Sequence, residues 1–255
     1  MKKWIVQFLG SGDAFGSGGR FQTCIYVQSE TARFLIDCGA SSLIAMKRFG
    51  VDPNLIESIL LTHLHGDHFG GIPFLIRETQ VLSRRTTPLV IAGPPGLERR
   101  IRDTMENLFP GSPGQEQAFP LRFIELSHER PSQIGPLAVH SYKAIHTPGT
   151  HPHSLRVEWD GKVIAYSGDT EWTEDLVRAA DGADLLVCES FTFEKKKNHL
   201  DYQNLLARRV DLRCSRLILT HMSDDMLSRL PDIGIEWAED GKRISLPDPG
   251  SRKGG

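Results

Sequence analysis

Thr62-His63-Leu64-His65-Gly66-Asp67-His68 follows directly on the apolar run Ile59-Leu60-Leu61. Three imidazoles and one carboxylate fall within six residues of a chain with ten histidines in 255 residues. A strand ending in such a loop can aim His63 and His65 one way and Asp67 and His68 another. That geometry can hold two metal ions side by side. Imidazole with carboxylate suits zinc, manganese or iron(II) and does not suit calcium. Two adjacent metals can share an activated water and clamp both the attacking and the leaving oxygens of a hydrolysis. Four side chains are too few for two ions, so further ligands must come from elsewhere.

The rest of the chain offers them at other strand ends. Tyr166-Ser167-Gly168-Asp169-Thr170 follows an apolar strand and projects Asp169 from a tight glycine turn. Ile218-Leu219-Thr220-His221-Met222 repeats the Thr-His ending seen at His63. Between the His63–His68 run and Asp169 lie the further candidates His140, His146, His151 and His153. His146 closes the strand-like run 139–145 and precedes Thr147-Pro148-Gly149, so it is preferred, with His151 as the alternative. His151 and His153 could instead line a pocket.

These motifs resemble those of the metallo-β-lactamase superfamily: the HxHxDH run at His63–His68, the bridging-aspartate SGDT turn at Asp169 and the last histidine at His221. The resemblance implies an α/β fold, an αββα sandwich of two mixed β-sheets with helices outside and the site at one edge. It implies two divalent ions, zinc first and manganese or iron as alternatives. One would be held by His63, His65, His146 and Asp169, the other by Asp67, His68, Asp169 and His221, with Asp67 counted among the catalytic residues as well. Leu155-Arg156-Val157-Glu158 fits the strand that follows the third histidine in related hydrolases.

Two further residues point to the ribonuclease Z-like and phosphodiesterase branch. His199, in Asn198-His199-Leu200-Asp201-Tyr202, resembles the branch's catalytic histidine, which contacts the phosphate and can protonate the leaving oxygen. Glu189 resembles the glutamate that supports it, although Cys188 and Ser190 depart from the HEAT motif. The HLDY and LILTHMS segments also resemble cyclic phosphodiesterases of phosphonate metabolism, but their extra structural-zinc cysteines are missing. The stretch from Thr147 to Gly168 is too short for the tRNA-binding arm of ribonuclease Z. The implied activity is hydrolysis of a small cyclic or nucleotide-like phosphodiester. An RNA endonuclease without the arm, and a hydrolase of a non-phosphate ester, thioester or lactam, are the alternatives. Dimerisation is common in this branch, so a homodimer is an open expectation.

Length and composition allow residues 1–255 to form a single α/β domain. A net charge of -2 argues against nucleic-acid binding by bulk electrostatics. Arg84-Arg85, Arg99-Arg100, Lys195-Lys196-Lys197 and Arg208-Arg209 read as solvated faces, with a local basic patch as the alternative. Met1-Lys2-Lys3 before Trp4–Leu9 mimics a signal sequence, but Gln7 and Gly10-Ser11-Gly12 cut the apolar run short, so it reads as a first strand. No stretch reaches the ~18 apolar residues of a membrane span. Cys24, Cys38, Cys188 and Cys214 show no CxxC spacing and read as free thiols in a cytoplasmic protein.

Pattern predicts strands at Trp4–Leu9, Thr23–Gln28, Ala32–Asp37, Ile56–Leu61, Leu89–Ala92, Leu121–Leu126, Leu137–Ala144, Ser154–Trp159, Val163–Ser167, Leu185–Glu189 and Leu217–Thr220. Helices are expected at Ser41–Phe49, His68–Glu78, Leu97–Phe109, Glu174–Ala180 and Asp201–Val210. Asp160-Gly161 signals a hairpin, and the tail from Pro247 is expected to fray.

Overall fold

Alternating side chains along the apolar strands divide the core into layers. The computed structural model describes residues 3–247; most of the tail expected to fray lies outside them. The first sheet contains β1 (Trp4–Gly10), β2 (Cys24–Gln28), β3 (Arg33–Ile36), β4 (Ser58–Leu60), β5 (Leu89–Gly93) and β6 (Leu121–Glu125). The second contains β7 (Ser132–Ile134), β8 (Leu137–Lys143), β9 (His153–Trp159), β10 (Lys162–Tyr166), β11 (Leu185–Glu189) and β12 (Leu217–Thr220). The chain then returns to the first sheet as β13 (Arg243–Leu246), antiparallel to β1.

Trp4, Val6, Phe8, Phe34 and Ile36 point inward and meet Val157, Trp159, Ile164, Tyr166, Val187 and Ile218 of the other sheet. Phe34 packs edge-on to Trp159 at 5.3 Å between ring centroids. The intervening residues face outward. Leu35, Ile59 and Ile91 are covered by helices α1 (Ser42–Phe49), α3 (Ile72–Val81) and α4 (Leu97–Leu108); the short helix α2 (Gly66–Phe69) lies between the first two in sequence. Ala165, Leu186 and Leu219 lie beneath α5 (Glu174–Ala180), α6 (Tyr202–Ala207) and α7 (Asp224–Ser228). The result is the expected αββα sandwich of two mixed sheets.

Each sheet begins with antiparallel hairpins and ends in parallel strands. β3, β4, β5 and β6 run parallel in the first sheet, and β10, β11 and β12 in the second. The carboxyl ends of parallel strands are where loops can converge on a ligand. β9 and β10 form the expected hairpin, with Asp160 and Gly161 both at positive φ as a tight turn of primed type requires.

The helix expected from His68 to Glu78 is broken. It forms as α2 and α3, with Gly70 and Gly71 between them. The chain there runs hard against the loop after β3: Gly71 N donates to Cys38 O, and a Cβ on Gly71 would lie 2.2 Å from Gly39 O. Bracing this loop takes priority over helix continuity. The helix expected over Asp201–Val210 stops at Ala207, followed by a single tight turn over Arg209–Asp211. β7, β13 and α7 were not anticipated. Arg85 is not on a solvated face: it is buried and donates to backbone carbonyls. Cys24, Cys38 and Cys188 are buried and Cys214 half-buried, all as free thiols. Among the described residues no helix is long and apolar enough to cross a membrane.

Candidate metal centre

The loop after β4 carries His63, His65, Asp67 and His68. The loop after β8 brings His146, while the turns after β10 and β12 bring Asp169 and His221. All meet at the seam between the sheets. Asp169 leaves β10 through Gly168, whose φ of +58° and approach to His153 O leave no room for a side chain. His221 itself turns through the left-handed region, at φ 57°. A non-glycine residue in that conformation is strained and persists where its surroundings fix it.

Two donor groups result. In the first, His63 Nε2 and His146 Nε2 each lie 3.1 Å from His65 Nδ1. Tetrahedral zinc spaces its nitrogen ligands by roughly 3.3 Å. The tautomers follow from the outer hydrogen bonds. His146 Nδ1 donates to Asn198 O at 2.7 Å, so its Nε2 carries a lone pair. The Thr62 hydroxyl donates to Asp37 Oδ2, so it accepts from His63 Nδ1, and His63 Nε2 also carries a lone pair. One proton on His65 Nδ1 cannot satisfy both. Burial holds all three imidazoles below their ordinary pKa, in the neutral state that metal ligation needs.

In the second group, His68 Nδ1 donates to Asp37 Oδ2 at 2.7 Å. His68 Nε2 faces Asp67 Oδ2 at 3.2 Å and Asp169 Oδ1 at 3.3 Å. His221 Nε2 lies 3.3 Å from Asp169 Oδ2 and 3.8 Å from Asp67 Oδ2. Burial opposes charge on His221, but Asp169 and Asp67 outweigh it and hold the imidazole up at about 9. His68 is held well above its ordinary value by Asp169, Asp67 and Asp37, again against burial. Burial pushes the Asp169 and Asp67 carboxyls up, but the facing imidazoles hold both far below the usual carboxylate range. Protons thus do here what a cation would do. His68 Nε2 and Asp169 Oδ1 are both buried without a hydrogen-bond partner, so the donor set fits a divalent metal.

Asp169 joins the groups: its Oδ2 lies 3.8 Å from His63 Nε2 and 3.7 Å from His146 Nε2. His151 is exposed and lines an outer cavity, while His153 is buried and faces His128 at 4.5 Å between rings. Neither joins the cluster. His140 sits within β8, paired with Arg156.

His199 stands beside the cluster, its ring 4.8 Å from that of His146. Its Nδ1 meets Glu189 Oε2 at 2.8 Å. Glu189, fully buried at the end of β11, also accepts from Thr170 N and Leu200 N through Oε1. Burial and the charge of Asp169 push the Glu189 carboxyl up, while burial pulls the His199 imidazole down to about 4. The His199 ring stacks on Phe191 at 4.3 Å. Cys188 points into the outer core beneath the helices, away from the site. Asp37 and Thr62, which orient His63 and His68, were not anticipated as site residues; their one signal was position at the ends of apolar strands.

This sandwich, with its histidine–aspartate cluster at the seam, defines a metal-dependent hydrolase of the metallo-β-lactamase superfamily, in the ribonuclease Z-like and phosphodiesterase branch. A model of the anti-Pycsar protein Apyc1 family matches residues 5–236, and the chain belongs to that family. It is 29% identical over 234 residues to the anti-Pycsar protein Apyc1 of a Paenibacillus species, covering 88% of this chain and 91% of that protein. Ribonuclease Z of Agathobacter rectalis is 26% identical over 304 residues, covering 94% and 97% respectively. The short form of human tRNase Z superposes with a TM-score of 0.77 at 26% identity, over 96% of this chain and 100% of that structure.

Proposed function

We propose that the cluster holds two divalent ions, with zinc the best match to its donors. His63, His65, His146 and Asp169 would hold one, and Asp67, His68, Asp169 and His221 would hold the other, so that Asp169 would serve both. The reaction is hydrolysis of a small cyclic or nucleotide-like phosphodiester. The observation that carries this reading is the juxtaposition of two donor groups sharing Asp169 with the His199–Glu189 pair at their rim. When bound, the ions activate water and neutralise charge on the phosphoryl oxygens.

The chain's own residues do the rest. Asp37 and Thr62 fix the tautomers of His68 and His63, so that lone pairs face the centre. His199 carries a proton at Nε2 to the leaving oxygen as the phosphorus–oxygen bond breaks, and water supplies the new bond to phosphorus. An imidazole held to about 4 is a strong acid once charged. An arriving anionic diester favours that charged form, and Glu189 anchors the ring through Nδ1. Asp67, whose Oδ2 faces His68 Nε2 and His221 Nε2, would contribute as a ligand.

The path from His146 to Asp169 is a short loop and the β9–β10 hairpin, with no arm to clamp a tRNA. This favours a small substrate. The relatives named ribonuclease Z keep an RNA endonuclease as the second reading. In either case the chain acts as one catalytic domain.

The test is hydrolysis of bis(p-nitrophenyl) phosphate by zinc-loaded protein, with the mono-ester as control. Diester cleavage that collapses with chelator is expected. No cleavage with both metals bound would overturn the reading. His199→Ala is expected to keep both metals and to slow diester cleavage by ~10²–10⁴; loss of metal in that variant would make His199 a ligand instead.

A further inference from the structure

His151-Pro152-His153 takes no part in the catalytic cluster. Both histidines line a cavity of about 980 Å³, bounded by the segment after β6, the end of β8 and α5. His128 lines it too, so three imidazoles share one cavity outside the metal centre. The carboxylates Glu125, Glu129 and Asp175 outnumber the cations Lys143 and Arg178 along its walls, and Arg178 is paired with Asp175. The lining therefore favours a cation over an anion.

The imidazoles are disposed as ligands are. The rings of His128 and His153 stand 4.5 Å apart at 68°, close to the 4.7 Å and 77° of His63 and His65. His128 Nδ1 donates to Ser141 O at 3.2 Å, so its Nε2 carries the lone pair. A backbone carbonyl on the other nitrogen is a usual support of a metal-bound imidazole. His153 is only 2% exposed, and its Nδ1 has no hydrogen-bond partner. A buried nitrogen left unpaired marks the place of an ion or a water. His151 stands exposed at the mouth of the cavity. Among the described residues only groups at the catalytic centre already bring three or more donors within 4.8 Å of one another, so His151 turns inward as an ion arrives.

We infer that His128, His151 and His153 form a further site for one zinc-like divalent ion, separate from the catalytic centre. Imidazole donors suit zinc, copper or nickel and do not suit calcium or magnesium. One ligand has to be drawn in from solvent. The site therefore fills at higher metal concentration than the catalytic centre, whose donors are already assembled.

Metal content tests it. Zinc bound per chain is measured by equilibrium dialysis against buffered free zinc, with the metal counted by mass spectrometry. At high free zinc the wild type is expected to hold one equivalent more than His128→Asn or His153→Asn. His128 is exposed, so its substitution leaves the fold intact. His151→Asn is expected to bind that equivalent about tenfold more weakly. His140→Asn, at a histidine outside the cavity and paired with Arg156, is expected to keep it. Asp169→Ala, which disables the catalytic centre, is expected to keep it as well. Equal metal content in the wild type, His128→Asn and His153→Asn would overturn the inference. Full affinity in His151→Asn, or loss of the extra equivalent in His140→Asn or in folded Asp169→Ala, would do the same. The readout is a difference of one equivalent outside the catalytic centre, so failure of the proposed function leaves it to stand or fall separately.

Discussion

Asp37 follows β3 in the left-handed conformation, at φ 57°, fully buried. Its carboxylate accepts three hydrogen bonds, from Thr62 N, Thr62 Oγ1 and His68 Nδ1. A group that only accepts meets three donors. In Asp37→Asn one edge becomes an amide donor facing a donor, so the His68 ring loses its fixed orientation. Metal affinity is expected to fall by ~10–100-fold, the usual weight of such a partner. Metal content after dialysis reads this directly, and an unchanged stoichiometry would show that His68 needs no such support. The cluster residues were legible because each follows an apolar strand with Thr-His, Gly-Asp or a histidine-rich loop. Asp37 also follows one, in Leu35-Ile36-Asp37, but a single carboxylate without a neighbouring histidine carries no metal signature.

His153 shows the opposite case, a histidine near the ligands that serves elsewhere. Burial, with His128 and His151 nearby, pulls its pKa down to about 3. Between there and the ordinary value near 6.5 the unfolded chain binds a proton that the folded chain refuses. Stability from this residue is intact above about 6.5 and declines as pH falls toward 3. His153→Asn removes the titration. Relative to its standing at pH 7.5, the variant is expected to gain on the wild type by about 2 kcal/mol at pH 5. Urea midpoints at the two pH values measure it, and a difference independent of pH would show that His153 is protonated in the fold.

Among the elements, the connection into β4 depends on a residue that composition misplaces. Arg85 donates to the carbonyls of Thr87, Pro53, Ile56 and Pro88, at 2.7, 3.1, 2.6 and 2.6 Å, and among the described residues no carboxylate forms an ion pair with it. Its guanidinium ties the turn before β4 to the loop before β5. β4 carries the metal loop at its other end. Arg85→Met leaves several carbonyls unpaired and is expected to cost about 3 kcal/mol or more. Arg85→Lys should restore only part, because one ammonium cannot match the planar fork. Urea unfolding of both variants tests this; equal stability of Lys and Arg would mean that charge alone suffices. An arginine beside another arginine reads as surface in sequence, since some of the carbonyls that claim it come from residues 53–56, about thirty positions earlier in the chain. The unanticipated strands are hidden for a similar reason. β13 alternates exposed and buried over four residues, and only its pairing with β1 makes it a strand. The break at Gly70-Gly71 records contact with Cys38 and Gly39, distant in sequence and adjacent in space.

At the scale of the molecule, the site exists because two parallel edges meet. The first sheet supplies His63, His65, Asp67 and His68 from beyond β4, while the second supplies His146, Asp169 and His221. The apolar patterns marked most strands and helices, and the motif resemblance implied the layers. Which strand ends face each other is set by the packing of Trp4, Phe34, Trp159 and Tyr166 between the sheets, a long-range outcome that no local pattern encodes. Cations at such a seam bind the folded state and not the unfolded chain, so they cross-link the sheets. At a hundred times the dissociation constant that linkage amounts to about 2.7 kcal/mol, or roughly 5–10 °C in Tm for a chain of this size. Chelation is therefore expected to lower Tm by that order, and re-addition of zinc to restore it. Asp169→Ala, which removes the carboxylate shared by both donor groups, is expected to lose both metals and the entire metal-dependent shift. His199→Ala is expected to retain the shift although its turnover falls. A wild-type Tm that ignores verified removal of metal would mean that the sheets hold their seam without it, and that the converging imidazoles and carboxylates are fixed wholly by the outer hydrogen bonds from Asp37, Thr62, Thr23 and Asn198.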